Sequence, residues 1–119
     1  MNADLHCHSR HSDGVLTPAA LAARASANGV ELWSLTDHDN MGGLDEARAH
    51  ARRLGMQFVD GVEVSISWHG VTVHVVGLAI DPSDSALNEG LVRVRSGRDA
   101  RALRMAEALE RLGVRDAYA

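Results

Sequence analysis

Two histidines, His6 and His8, lie two residues apart near the start of the chain, within a strand predicted at residues 3–8. Because side chains alternate across a strand, both imidazoles project from the same face. Neutral imidazole is a common ligand of zinc, manganese and iron. Asp13 follows in a turn, from which its carboxylate can reach back over the end of the strand. These residue types at this spacing predict a metal site.

A third histidine, His38, directly follows the second predicted strand, residues 30–36. In α/β folds, ligand-binding and catalytic groups lie at this end of a strand. Successive side chains diverge in direction, so we interpret His38 as a ligand and Asp37 as an outer or substrate-side group. Asp39 is interpreted as a residue that caps the turn. Asp13 and His38 are also candidate catalytic and substrate-contacting residues, although the sequence does not assign the proton transfer to either.

Two more candidate ligands lie on a predicted β-hairpin with His69-Gly70 as its two-residue turn. That turn makes Glu63 and His74 diagonal neighbours on one face, about 7–8 Å apart at the backbone. They can therefore reach a shared metal or two adjacent ones. Val73 and Val75 are expected to pack on the opposite face. A charged carboxylate and an imidazole among β-branched residues need a partner if they are buried, and a metal would supply one.

Alternating helices and strands position these side chains. The predicted strands are residues 3–8, 30–36 and 56–62, and the predicted helices are residues 17–28 and 44–54. Thr17-Pro18 provides a helix N-cap and a first-turn proline. Strand, helix, strand, helix and strand with short connections predict a parallel α/β sheet or barrel.

The C-terminal segment is rich in arginine. Residues 91–119 hold seven arginines and four acidic residues, whereas residues 1–90 hold five arginines and twelve acidic residues. Residues 85–112 are predicted to be helical in two pieces, the second opening at Ser96-Gly97. Free amides at such a helix start, together with guanidinium groups, favour a phosphate. The predicted substrate contacts here are Ser96, Gly97, Arg98 and Arg101. A solvated helix face with pairs such as Glu107–Arg111 explains the same arginines equally well.

Bulk composition sets further expectations. The 119 residues suit about one domain, and Cys7, the single cysteine, excludes an internal disulfide. No run approaches the ~20 apolar residues that span a membrane. We expect a cytoplasmic protein that does not contact a membrane, and no obligate protein partner is inferred.

The motifs resemble the polymerase and histidinol phosphatase (PHP) family. The likeness rests on Asp-Leu-His-Cys-His-Ser at residues 4–9, Ser-Asp-Gly at residues 12–14 and Thr-Asp-His-Asp at residues 36–39. It is strongest to stand-alone bacterial phosphoesterases, among them 3′,5′-nucleoside bisphosphate phosphatases and 5′–3′ exoribonucleases. The resemblance implies a distorted, TIM-like (βα)7 barrel with a hairpin after the third strand. It also implies two or three divalent metals, most often manganese and otherwise iron or zinc.

The resemblance implies a ligand set in which Glu63 bridges two metals. Its members are His6, His8, Asp13, His38, Glu63 and His74. The family also uses a histidine and an Asp-x-His pair from later strands, and no histidine follows His74 here. We therefore expect residues 1–119 to be the N-terminal part of a single PHP domain, with an incomplete site.

The expected function is removal of a phosphate from a 3′,5′-nucleoside bisphosphate, giving a nucleoside monophosphate such as AMP. Clustered divalent metals suit this reaction because they polarise a phosphoryl oxygen and activate water. One alternative is a 5′–3′ exonuclease on short 5′-phosphorylated RNA. The scarcity of aromatic side chains for base stacking mildly disfavours a long single-strand channel. Another alternative is a metal-binding PHP module without catalysis.

Overall fold

The computed structural model describes residues 1–118. Its elements are β1 (Ala3–Asp4), α1 (Pro18–Ala27), β2 (Leu32–Trp33), α2 (Leu44–Arg53), β3 (Gln57–Phe58), β4 (Gly61–Trp68), β5 (Val71–Leu78) and α3 (Ser85–Arg111). Strands β1, β2 and β3 form a parallel sheet in that order, while β4 and β5 form an antiparallel hairpin. The α/β class predicted from the sequence is confirmed. Within residues 1–118, no helix is both long enough and apolar enough to cross a bilayer.

The three parallel strands are only two residues long, shorter than predicted. Beyond β1 the chain stays beside its neighbour through single hydrogen bonds. Ser34 N donates to Asp4 O (2.9 Å), and Thr36 N donates to Cys7 O (3.0 Å). A regular ladder does not continue there, so His6 and His8 lie in extended chain past the end of β1 rather than within it.

Helices α1 and α2 pack together beside the sheet. Thr17 caps α1 as predicted, since its Oγ1 accepts a hydrogen bond from Ala20 N (3.1 Å). Small alanine side chains face inward on both helices and permit close approach of their backbones. The buried core consists of Ala22, Ala25, Trp33, Leu35, Leu44, Ala47, Ala51 and Met56. This core supports the ends of β1 and β2, from which the candidate ligands project.

The hairpin has the register expected from its turn. Glu63 pairs with Val76, and Ser65 pairs with His74. His69 and Gly70 both have positive φ, at 47° and 81°, as a two-residue hairpin turn requires. A single bridge between His38 and Glu63 joins the hairpin to the edge of the parallel elements. The carboxylate therefore lies beside the loop that carries His38.

The expectation that Val73 and Val75 pack on the other face of the hairpin was wrong for the described residues. Val73 is 37% exposed and Val75 is 48% exposed. Within residues 1–118 this part of the face stays partly open, although Val62, on the same face near the start of β4, is buried. Alternation along β5 correctly placed the two valines opposite His74, but it does not show which element covers a face.

Helix α3 is continuous, so the predicted break at Ser96-Gly97 was wrong. Asp84 caps its start by accepting a hydrogen bond from Leu87 N (2.7 Å), and Ser96 Oγ donates to Val92 O (3.0 Å). A single glycine inside a helix costs about 1 kcal/mol, which neighbouring helix-forming residues offset. The amides of Ser96 and Gly97 lie within the helix and do not form a helix start that could bind phosphate.

Replacing Gly97 by alanine should stabilise the protein by about 0.5–1 kcal/mol, because alanine loses less backbone entropy in a helix interior. A Cβ added at Gly97 meets no heavy atom within 4 Å. Denaturant unfolding of the variant measures the change. Gly55→Ala is the control, since it also gains an unobstructed Cβ but has a φ of +76° and should be destabilised. Lower stability for Gly97→Ala would contradict a continuous α3.

Candidate metal centre

Glu63 is the centre of a cluster of imidazoles. Its Oε2 atom lies 2.9 Å from His6 Nε2 and 3.1 Å from His8 Nε2. The same oxygen lies 3.5 Å from His38 Nδ1, and Oε1 lies 3.8 Å from His74 Nδ1. The Glu63 side chain is only 7% exposed. One buried carboxylate on β4 therefore contacts side chains from three other segments, namely the chain after β1, the loop after β2, and β5.

Asp13 lies on the outer side of this cluster. Its Oδ1 is 3.6 Å from His8 Nδ1, and its Oδ2 is 3.6 Å from His38 Nε2. Unlike Glu63, the Asp13 side chain is mostly exposed, at 68%. It therefore extends the cluster towards solvent, where a substrate would approach.

The six predicted ligands thus lie together in the structure. They form three overlapping groups whose potential ligand atoms lie within 4.8 Å of one another, namely His6–His8–Glu63, His8–Asp13–His38 and His38–Glu63–His74. Each of His8, His38 and Glu63 belongs to two groups. A residue that belongs to two ligand groups can contact two neighbouring cations, as a cluster of closely spaced cations requires.

The buried ring nitrogens of this cluster fit a metal. His8 Nδ1 and His38 Nδ1 are buried and have no hydrogen-bond partner. A buried polar atom without a partner costs about 1–3 kcal/mol, and a bound cation would supply that partner. Imidazole nitrogens together with carboxylate oxygens suit manganese, iron or zinc. The donor set is therefore compatible with the divalent metals expected from the sequence.

The surroundings of Glu63 favour its ionised form. Burial alone would raise the pKa of this carboxyl group, but the hydrogen bond with His6 and the charges of His38, His6 and His8 outweigh it. The pKa of Glu63 is held below its ordinary value. The carboxylate is thus ionised at neutral pH and able to bind a cation.

Asp37 organises the turn that carries Asp13. It is 1% exposed, so of the two roles suggested by the sequence, an outer supporting group fits its position and a substrate-side group does not. Its Oδ1 accepts hydrogen bonds from Ser9 N (2.7 Å) and Ser12 Oγ (2.6 Å), and its Oδ2 accepts one from Ser9 Oγ (2.6 Å). At Gly14 the turn passes so close to His8 that an added Cβ would overlap the His8 carbonyl oxygen. Asp37 therefore acts on the site through the backbone of residues 9–14.

Asp39 has a larger role than the turn cap inferred from the sequence. It adopts a positive φ of 50°, as a turn residue does, but its side chain is fully buried. Oδ1 accepts a hydrogen bond from Ser65 N (2.7 Å), and Oδ2 pairs with the guanidinium of Arg98. Arg95 also donates to the Asp39 carbonyl oxygen. Asp39 thereby connects the His38 loop to β4 and to α3, a role that no local sequence signal indicated.

Cys7 lies between two candidate ligands but belongs to the packing beneath them. Its Sγ donates to Ser34 O (3.3 Å) and accepts from Trp33 Nε1 (3.3 Å). Burial raises the pKa of the thiol to about 11; the Trp33 hydrogen bond opposes this effect, and the charges of Asp4 and Asp37 add smaller increases. Cys7 therefore stays protonated near neutral pH and does not provide a thiolate ligand.

Two clefts adjoin the cluster, one on each side of His74 and Arg98. The first, of about 640 Å³, includes Asp13 and His38 in its lining. The second, of about 550 Å³, lies between α3 and the polar face of the hairpin. Its lining includes Arg93, Gly97, Arg98, Arg101, Ser67 and Thr72. Of the predicted substrate contacts on α3, Gly97, Arg98 and Arg101 face this second cleft, whereas Ser96 is not among its lining residues.

Comparison with known proteins identifies the family. The sequence model of the PHP domain matches residues 4–107. The chain belongs to the PHP family. It is 54% identical over 113 residues, 95% of the chain, to a 3′,5′-nucleoside bisphosphate phosphatase of Chromobacterium violaceum. It is 42% identical over 115 residues, 97% of the chain, to a 5′–3′ exoribonuclease of Haemophilus influenzae. The chain spans 40% and 42% of the length of these two relatives.

Solved structures of PHP-like proteins have the same fold. An amidohydrolase from Chromobacterium violaceum, solved with bound sulfate and no metal, matches with a TM-score of 0.88 and 54% identity over 96% of this chain and 40% of its own. A candidate metal-dependent phosphoesterase from Bifidobacterium adolescentis matches with a TM-score of 0.85 and 32% identity, covering 92% of this chain and 38% of its own. The α/β fold of this PHP chain therefore has counterparts among solved structures.

Proposed function

We propose that this PHP protein is a metal-dependent phosphoesterase that removes a phosphate from a 3′,5′-nucleoside bisphosphate and leaves a nucleoside monophosphate such as AMP. The observation that carries the proposal is the convergence of five side chains on the buried Glu63 carboxylate or its immediate neighbours, in three overlapping groups of potential ligands. The 54% identity to a phosphatase of that specificity supports the choice of substrate. We further place residues 1–119 in the N-terminal part of a distorted (βα)7 barrel.

The proposed ligands are His6, His8, Asp13, His38, Glu63 and His74, which would hold two or three divalent ions, with manganese expected. Such ions polarise a phosphoryl oxygen and lower the pKa of bound water. Asp13 and His38 lie 3.6 Å apart and both line the 640 Å³ cleft. Both side chains therefore lie at the mouth of the site, where either could exchange a proton with a departing oxygen atom. This placement supports both as candidate catalytic and substrate-contacting residues.

The cleft between α3 and the hairpin suits a second phosphate group. Arg93 and Arg101 line it about two helical turns apart, and Ser67 and Thr72, which pair across the hairpin, line its other side. Guanidinium groups bind phosphate through paired hydrogen bonds. Arg98 adds further donors besides the Nη2 atom that contacts Asp39 and Ser65. A substrate with one phosphate at the metal centre and another in this cleft is a bisphosphate.

The second candidate is a 5′–3′ exonuclease on short 5′-phosphorylated RNA. The 42% identity to the Haemophilus influenzae exoribonuclease favours it. The metal chemistry would be the same, and the 5′-phosphate would occupy the cleft beside α3 in both cases. The group hydrolysed at the metal centre would then be the first phosphodiester of the RNA chain instead of a 3′-phosphate.

The test compares substrates for the full-length protein loaded with manganese. We expect phosphate release from adenosine 3′,5′-bisphosphate, with a higher kcat/KM than for a short 5′-phosphorylated RNA and with AMP as product. Equal or faster cleavage of the RNA would favour the exonuclease. Bound metal without hydrolysis of any phosphate ester would leave the protein a non-catalytic PHP module and overturn both enzyme proposals.

A further inference from the structure

We infer that Ser65 is a positioning residue that orients His74 within the metal centre, and that Asp39 and Arg98 hold Ser65 in place. The inference rests on the proposed metal centre and concerns three residues that are not among the proposed metal ligands. Its basis is a closed network of polar contacts around β4, which joins the His38 loop, the hairpin and α3.

Ser65 and His74 face each other across the hairpin. They are directly paired in the β4–β5 ladder, and Ser65 Oγ lies 3.2 Å from His74 Nδ1. Of the four histidines around Glu63, His74 has the longest contact with the carboxylate, at 3.8 Å, and its side chain is 43% exposed. The Ser65 hydroxyl is therefore the contact that can fix its ring orientation.

The hydroxyl can also select the tautomer of His74. A guanidinium offers only donors, so Ser65 Oγ must accept a hydrogen bond from Arg98. Serine oxygen has a second lone pair, which can accept the proton on His74 Nδ1. With Nδ1 protonated, the lone pair of Nε2 is free to bind a cation. Histidine ligands of metals generally donate their other ring proton to such a partner.

Asp39 fixes Ser65 from two directions. Its Oδ1 accepts a hydrogen bond from Ser65 N (2.7 Å), and its Oδ2 pairs with the Arg98 guanidinium that contacts Ser65 Oγ. Asp39 is fully buried, whereas the Arg98 side chain is 41% exposed, so the carboxylate end of this pair is shielded from solvent. Asp39 also directly follows His38. Its carboxylate therefore links the loop that carries His38 to β4, which pairs with the strand that carries His74.

The test is the affinity of metal-free full-length protein for Mn²⁺, measured by titration without substrate. Loss of a residue that orients a ligand weakens metal affinity about 10- to 100-fold, and we expect a loss in this range for Ser65→Ala. Ser67→Ala is the matched control, since Ser67 lies on the same face of β4 two residues further on and pairs with Thr72. Ser65→Thr keeps the hydroxyl and should restore most of the affinity. Unchanged affinity for Ser65→Ala would overturn the inference.

A double-mutant cycle shows whether Ser65 acts through His74. We expect Ser65→Ala to add no loss of Mn²⁺ affinity in a His74→Ala background, because the ligand that it orients is already absent. An equal loss in both backgrounds would contradict the positioning role. Arg98→Ala should weaken binding like Ser65→Ala, whereas Arg104→Ala, an exposed arginine of the same helix, should not.

These measurements separate the inference from the proposed function. A wild-type protein that binds Mn²⁺ in a Ser65-dependent manner but hydrolyses no phosphate ester would refute the function and leave the network in place. A hydrolysing protein whose Mn²⁺ affinity is independent of Ser65 would refute only the network. Absence of Mn²⁺ binding by the wild type would overturn the inference as well.

Discussion

Glu63→Gln should lower phosphate release by about 1,000-fold or more. Glu63 belongs to two of the three ligand groups and lies 2.9 Å from His6 and 3.1 Å from His8. Glutamine keeps the shape of the side chain but removes the charge that draws cations into the cluster. Stabilisation of transition-state charge by metals is worth several kcal/mol, and each ~1.4 kcal/mol changes the rate tenfold. Steady-state release of phosphate from adenosine 3′,5′-bisphosphate measures the loss.

The matched control for Glu63→Gln is Glu110→Gln, the same substitution at an exposed position near the end of α3. We expect the control to retain wild-type activity, and both variants to retain the wild-type far-ultraviolet circular dichroism spectrum. His8→Ala should behave like Glu63→Gln, since His8 also belongs to two ligand groups. Wild-type turnover by Glu63→Gln at saturating metal would show that the metal centre lies elsewhere.

Asp37→Ala should lower the free energy of unfolding by about 3 kcal/mol and weaken metal binding as well. The substitution removes the acceptor for Ser9 N, Ser9 Oγ and Ser12 Oγ. A buried donor left without a partner costs about 1–3 kcal/mol, and Ser9 is fully buried. The turn at residues 9–14 would then hold Asp13 less rigidly. Chemical denaturation and Mn²⁺ titration report the two effects separately.

Asp45→Ala provides the comparison for Asp37→Ala. The Asp45 side chain is 98% exposed and pairs with Arg48 only one helical turn away. Surface pairs and charges in the first turn of a helix contribute at most about 1 kcal/mol, and Asp45 does not touch the candidate ligands. A stability loss for Asp37→Ala no larger than that for Asp45→Ala would mean that Asp37 does not hold the turn.

The ligand cluster was predictable because its geometry follows from local rules. Alternation along an extended chain places His6 and His8 together, and a two-residue turn at His69-Gly70 sets the register that makes Glu63 and His74 diagonal neighbours. These rules depend only on residue spacing. The structure brings the same residues within a few ångströms of one another, although their role as ligands remains a proposal.

The residues that support the cluster were not predictable in the same way. Asp37 and Asp39 differ from other loop aspartates only in burial, and burial depends on how the His38 loop meets the turn after β1 and helix α3. The predicted break at Gly97 failed because the low helix propensity of one glycine is a small term beside the flanking helix-forming residues. The spacing of residues in the sequence does not predict which side chains become buried through tertiary contacts.

Anomalous diffraction from crystals of the manganese-loaded full-length protein tests the central claim most directly. The account predicts strong anomalous peaks in contact with the Glu63 carboxylate, one of them also bound by His6 and His8 and another by His38. Manganese peaks located only away from Glu63, or none at saturating metal, would contradict it.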